Sequence, residues 1–144
     1  IEMGHIAGSE LDGRTIPYDN SLEGLVSKKK DFIGKRSLDR KAFIAEDRQK
    51  VVGVVPIDKK TSIPEGSHLV KDALAPIPNP KLGYISASCW SVEYDNPFSL
   101  AILKDGKNMI GQKLFAMSPL KNKTIPVEIV SSHYVDPKGE RVRS

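Results

Sequence analysis

"FSLAILKDGKNMIGQKLFAM", residues 98–117, holds two apolar runs on either side of Asp105-Gly106. Asp-Gly between apolar runs is the strongest short signal of a β-hairpin, because these residues tolerate the positive φ angles that a two-residue turn demands. The stretch therefore predicts two antiparallel strands with Asp105-Gly106 at the hairpin tip.

Working outward, the same texture recurs. "LGYISASCW" (82–90) alternates, and "KVVGVVPI" (50–57) is short and β-branched. "IPEGSHLV" (63–70) places Pro64 and Gly66 where a tight turn wants them. "TIPVEIV" (124–130) closes the set, and "DPKG" (136–139) marks another turn. "APIPNPK" (75–81) carries three prolines, which cannot donate to a ladder, so it reads as a loop or an edge connection. Five or six short strands at this spacing predict a small antiparallel barrel or sandwich over about 51–135, with Cys89 or Trp90 packed inside.

The N-terminal part reads differently. Asn20 and Glu23 have the spacing of a capping box, and Leu22, Leu25 and Val26 share one helical face, so a short helix is expected from Asn20. A second short helix is expected around 34–45. "LVSKKKDFIGKRSLDRK" (25–41) sets seven Lys and Arg against two Asp. Lys28, Lys29 and Lys30 would fall in the last turn of the first helix, where cations offset the negative end of the dipole. A nucleic-acid backbone, a polyanionic small molecule and plain solvent all remain open as what this charge meets.

Composition narrows the choice. The chain has 144 residues, 39% of them apolar, enough for one domain-sized core with an appendage. Its net charge is only +4, and residues 1–41 hold eight bases against seven acids, so the basic run is local. A dedicated nucleic-acid binder shows a broader positive face with interleaved aromatics. A single cysteine excludes an intrachain disulfide and a cysteine-based zinc site. No apolar run reaches the roughly 18 residues of a membrane helix, and no signal peptide is visible, so a cytoplasmic location without membrane attachment is expected. The chain starts "IEMGHIAGSELDG", without an initiator Met, and reads as part of something longer.

No catalytic constellation emerges. His5, His68 and His133 are scattered, Ser86, Ser88 and Ser91 lack a nucleophile elbow, and neither a G-x-G-x-x-G nor a P-loop is present. Cys89 beside Trp90 on an expected strand reads as a small buried hydrophobe.

"IEMGH" followed by "ELDGRTIPYDNSLEGLVSKKKDFIGKRSL" resembles the C-terminal half of the glycine-cleavage T-protein (aminomethyltransferase) superfamily. The form "VSKKKDFIGKRSL" is that of its sarcosine oxidase alpha-subunit branch, the folate-binding region of a heterotetrameric enzyme. In T-proteins the corresponding stretches read R-x-E-x-G, a threonine-proline element, and a helix ending in a small residue and a basic cluster. Here these become Glu2 and Gly4, Ile16-Pro17, and Ser27 followed by Lys28 to Lys30. "LGYISASCWSVEYDNPFSLAIL" is similar to the family's G-x-V-T-S-x-x-x-S-P segment, with Val92 in place of proline. "GKNMIGQKLFAM" resembles its G-x-x-x-G strand pair, with Met109 where many relatives carry arginine.

The resemblance implies a mainly β chain with a helical N-terminal part: residues 1–45 as the tail of the folate-binding core, and 46–144 as a small β-barrel of the T-protein C-terminal type. It implies a role in capturing the one-carbon unit of sarcosine demethylation on tetrahydrofolate, as 5,10-methylene-tetrahydrofolate. FAD, FMN and NAD would belong to the parent complex and not to this chain. The implied partners are the other sarcosine oxidase subunits and the missing N-terminal part of the alpha subunit. Catalytic residues would lie upstream, so the chain alone is expected to be inactive. Glu2 stands at the position of the superfamily's pterin-binding glutamate, where a carboxylate meets the ring N–H and 2-amino group with two parallel hydrogen bonds. Lys28 and Lys29 would meet the glutamate tail of folate as point charges. A T-protein proper or a dimethylglycine-type demethylase shares this fold and folate, and a nucleic-acid-binding β module is the alternative from another class.

Overall fold

Residues 51–55 alternate between two environments, and that alternation organises the molecule. In the computed structural model, which describes residues 10, 11, 13–76 and 78–143, Val52 and Val54 point into a barrel while Val51 and Val55 point out of it. Six strands build the wall: β1 (Gln49–Pro56), β2 (His68–Val70), β3 (Gly83–Ser91), β4 (Asn96–Lys104), β5 (Lys113–Ser118) and β6 (Lys123–Val130). They close in the order β1-β4-β3-β2-β5-β6, every pair antiparallel, so no sheet edge is left open. Leu69, Ile85, Leu103, Leu114, Val127 and Ile129 fill the interior together with Val52 and Val54. Each such side chain contributes about 1.5–3 kcal/mol on leaving water. The expected mainly β fold is thus present as a closed barrel.

A second, smaller core lies outside β1 and β4, where Phe98, Leu100 and Ile102 pack with Val51 and Val55. Tyr134, beyond β6, lies parallel to the Phe98 ring with centroids 4.8 Å apart and covers this face. β4 is therefore buried on both sides, which suits its apolar run over residues 100–103.

Asp105-Gly106 is not a hairpin tip. β4 pairs with β1 and β3, whereas β5 pairs with β2 and β6, so the two runs it separates never meet as neighbours. The dipeptide instead opens a 3₁₀ turn, Gly106–Met109, with Asp105 in the left-handed region at φ 54°. Gly106 is required for a different reason: a Cβ there would come within 2.8 Å of Val52 Cγ1. The local hairpins are β3–β4 and β5–β6. The turn at Gly66 forms as expected, with φ 75° and the Ser67 N–H donating to the Pro64 carbonyl at 3.2 Å.

Cys89 and Trp90 are not packed inside either. Both are exposed, Trp90 by 51%, because the end of β3 runs past the core with only β4 beside it. A bulge between Ile85 and Ala87 also shifts the alternation on which that expectation rested.

The expected helix from Asn20 is absent. Pro17–Asn20 is a 3₁₀ turn ended by Ser21 at φ 58°, and a second turn spans Glu23–Leu25 before Val26 extends. No helix ends at Lys28, Lys29 and Lys30, so no dipole accounts for them. The second expected helix appears as a 3₁₀ turn, Lys35–Asp39, and the single-turn α1 (Lys41–Ile44), separated by the extended Arg40. A final turn, α2 (Glu140–Arg143), is capped by Asp136, which accepts from the N–H groups of Glu140 and Arg141. Among the described residues no helix is long and apolar enough to cross a membrane.

Candidate functional site

The basic loop is held by its own backbone. Ser27 Oγ accepts from the Lys30 N–H at 2.9 Å, and Lys35 Nζ donates to the carbonyls of Lys28 and Lys30 at 3.3 and 2.8 Å. Lys35 thereby spends its charge inside the loop, leaving the side chains of Lys28, Lys29 and Lys30 exposed. Among the described residues none of these three forms an ion pair within 4 Å.

Beside the loop runs an apolar groove of about 590 Å³, lined chiefly by Leu22, Leu25, Val26, Phe32, Ile33 and Leu38. Leu25 is 80% exposed and Ile33 fully so, an arrangement that marks a surface made for contact. Lys30 and Asp31 stand in the groove wall, whereas Lys28 and Lys29 occupy the adjoining loop. Of the residues singled out in sequence, Lys28 and Lys29 are exposed in the loop that precedes Lys30 and are not among the residues lining the groove, and Glu2 lies outside the described residues. The groove was missed because Leu22, Leu25 and Val26 were assigned to a helix face, while Phe32, Ile33 and Leu38 show no period of their own.

The groove segment is tied to the barrel at two points. Glu23 pairs with Lys107, and these contacts outweigh burial to leave the Glu23 carboxyl below its ordinary value. Deeper in the seam, the buried Asp19 carboxylate accepts from Arg48 Nε at 2.9 Å, from an Arg48 terminal nitrogen at 2.5 Å and from the Ile16 N–H at 3.0 Å. Burial works to raise the Asp19 carboxyl, but these bonds and the charges of Arg48 and Lys50 together hold it below the usual carboxylate range. Sequence reasoning missed this cluster; its signal was the i, i+2 placement of Arg48 and Lys50 entering β1. Among the described residues no three His, Cys, Asp or Glu side chains gather to hold a metal.

No protein-family model matches the chain. The sarcosine oxidase alpha subunit of Rhizobium meliloti (strain 1021) is 35% identical over 99% of the chain. Those of Corynebacterium sp. strains U-96 and P-1 are 36% and 35% identical over 94% of it. The chain spans only 14% of the length of each of these relatives. Among solved structures, the glycine cleavage system aminomethyltransferase T of Bartonella henselae superposes on 90% of the chain with a TM-score of 0.69 at 19% identity, covering 34% of that protein. Over nearly its whole length the chain is a homologue of one segment of sarcosine oxidase alpha subunits, and it carries an aminomethyltransferase T-protein fold.

Proposed function

We propose that this chain is the part of a sarcosine oxidase alpha subunit that helps to bind tetrahydrofolate, so that the one-carbon unit released from sarcosine is captured as 5,10-methylene-tetrahydrofolate. The observation that carries this reading is an apolar groove of about 590 Å³ with Lys30 in its wall, continuous in sequence with Lys28 and Lys29, all three exposed and without an acidic partner among the described residues. The residues present fit such a ligand: Leu22, Leu25 and Phe32 offer a surface for flat rings, and the ammonium groups of Lys30 and the loop before it suit carboxylates. Tetrahydrofolate, when bound, supplies the nitrogen atoms that accept the carbon. This chain's residues would bind and orient it: Glu2 at the pterin edge, Lys28 and Lys29 at the glutamate tail. On this reading FAD, FMN and NAD would be held by other parts of the parent enzyme.

The test uses the intact alpha subunit in its complex. Lys28→Gln combined with Lys29→Gln is expected to weaken polyglutamylated tetrahydrofolate by about 3- to 10-fold, the scale of two exposed charge contacts, with sarcosine oxidation unchanged. The affinity for tetrahydropteroate, which lacks the glutamate, is expected to stay constant. Equal loss for both ligands, or no loss for either, overturns the assignment of the lysines.

A further inference from the structure

A separate cavity of about 200 Å³ lies in the seam between the 3₁₀ turn Pro17–Asn20 and the outer face of the barrel. Its floor is apolar, formed by Val51 and Ile102, and its walls carry Arg14, Asp19, Asn20 and Lys50. One of these polar groups is unaccounted for. Asn20 is only 2% exposed; its Nδ2 donates to the Glu10 carbonyl at 3.4 Å, but its Oδ1 is buried with no hydrogen-bond partner. A buried acceptor left without a donor is costly, and native folds rarely retain one without a reason.

The charges nearby set the kind of molecule that would answer it. Among the described residues Asp19 is the one acid in the cavity wall, and its carboxylate is taken up by Arg48, the Ile16 N–H and Lys50. Arg48 and Lys50 together outweigh the charge of Asp19 by one, so this end of the wall is positive. Lys50 Nζ donates to the Tyr18 carbonyl at 3.2 Å and lies 3.5 Å from Asp19, which leaves the third N–H of its ammonium group uncommitted. The cavity therefore offers a positive end for an anion and, at Asn20, an acceptor that wants an N–H or O–H.

We propose that this cavity binds a small carboxylate bearing a hydroxyl or ammonium group on the adjacent carbon, its donor on Asn20 Oδ1 and its acid group toward Lys50. A plain anion satisfies only half of the site. The volume admits a molecule of a few heavy atoms and excludes a nucleotide or a folate, so this site is independent of the groove beside the basic loop.

Titration of the isotopically labelled 144-residue chain, followed by NMR, tests this with three probes: glycolate, glycine and acetate. Glycolate, glycine or both are expected to bind at least about 10-fold more tightly than acetate, and the two arms show whether the donor is O–H or N–H. Nuclear Overhauser contacts from the bound probe's methylene to the Val51 and Ile102 methyl groups locate it without any variant. In Asn20→Leu, which keeps volume and removes the acceptor, the preference over acetate is expected to vanish. Equal affinity for all three probes, binding elsewhere on the surface, or no binding of any probe up to about 10 mM overturns the proposal.

Discussion

Arg48 reaches across 29 positions of sequence to give the Asp19 carboxylate two donors from one guanidinium, at 2.9 and 2.5 Å. The same side chain donates to the carbonyls of Arg14 and Ala42, at 2.8 and 3.1 Å. One residue at the entrance of β1 thus gathers three places of the preceding segment. Arg48→Met is expected to leave a buried carboxylate short of its partner and to cost about 2–3 kcal/mol, with Asp19→Leu added in the same chain recovering part of that loss. Urea unfolding of the two single variants and the double variant measures the coupling.

The Asp19 carboxyl lies below its ordinary value of 3.8, so the sign of its pH effect is set. A depressed carboxylate contributes stability that is fully present above its unfolded value and is lost as pH falls through the folded one. Wild type is therefore expected to lose stability below about pH 4, and Asp19→Asn to be less stable at neutral pH with a flatter acid limb. Unfolding midpoints from pH 7 downward give the difference curve. It isolates Asp19 from Glu23, whose depressed carboxyl acts in the same direction.

Gly83, on β3, has no room for a methyl group. A Cβ there would sit 2.1 Å from the Ile102 carbonyl oxygen and 2.9 Å from Leu103 Cα, both backbone atoms of β4. Gly83→Ala is expected to cost about 3 kcal/mol, because a ladder strand cannot step aside as a side-chain tip can. Gly24→Ala, with nothing within 4 Å of the new methyl group, serves as the neutral control in the same thermal melts.

Glu2→Gln in the intact alpha subunit tests the proposed pterin anchor. The substitution removes a charge and turns one acceptor into a donor facing the ring's own donors. A lost charged hydrogen bond costs about 1.5–3 kcal/mol, or about 10- to 150-fold in affinity. Sarcosine turnover is expected to be nearly unchanged, while product at sub-saturating tetrahydrofolate shifts from methylene-tetrahydrofolate to free formaldehyde. An unchanged partition and folate affinity remove Glu2 from the site.

Strands were legible in the sequence wherever the apolar pattern is local. "KVVGVVPI" and "TIPVEIV" became β1 and β6 nearly to the residue. What went unread depends on partners far along the chain. Asp105-Gly106 carries a genuine turn signal, but closure sends β4 to β1 and β5 to β2, which no window of twenty residues contains. Trp90 looks like core by composition and is left outside by a one-residue bulge at Ser86. The Asn20–Glu23 spacing suits a capping box, yet Asn20 ends a 3₁₀ turn whose Asp19 is claimed by Arg48, so tertiary pairing overrode the local preference. The lysines were visible as charge; the groove beside them was not, since its walls come from three separate turns and bends.

β1 is held on one side by β4 and on the other by β6, with Gly53 facing both Leu100 and Val130. On a ribosome this order has a cost in time. β1 emerges before both of its partners, and its second flank stays unpaired until residue 130 has left the exit tunnel. Through that interval a β-branched strand with at least one open edge is available to any neighbouring nascent chain. A chain cut short before Val127 keeps that flank of β1 without its partner for good.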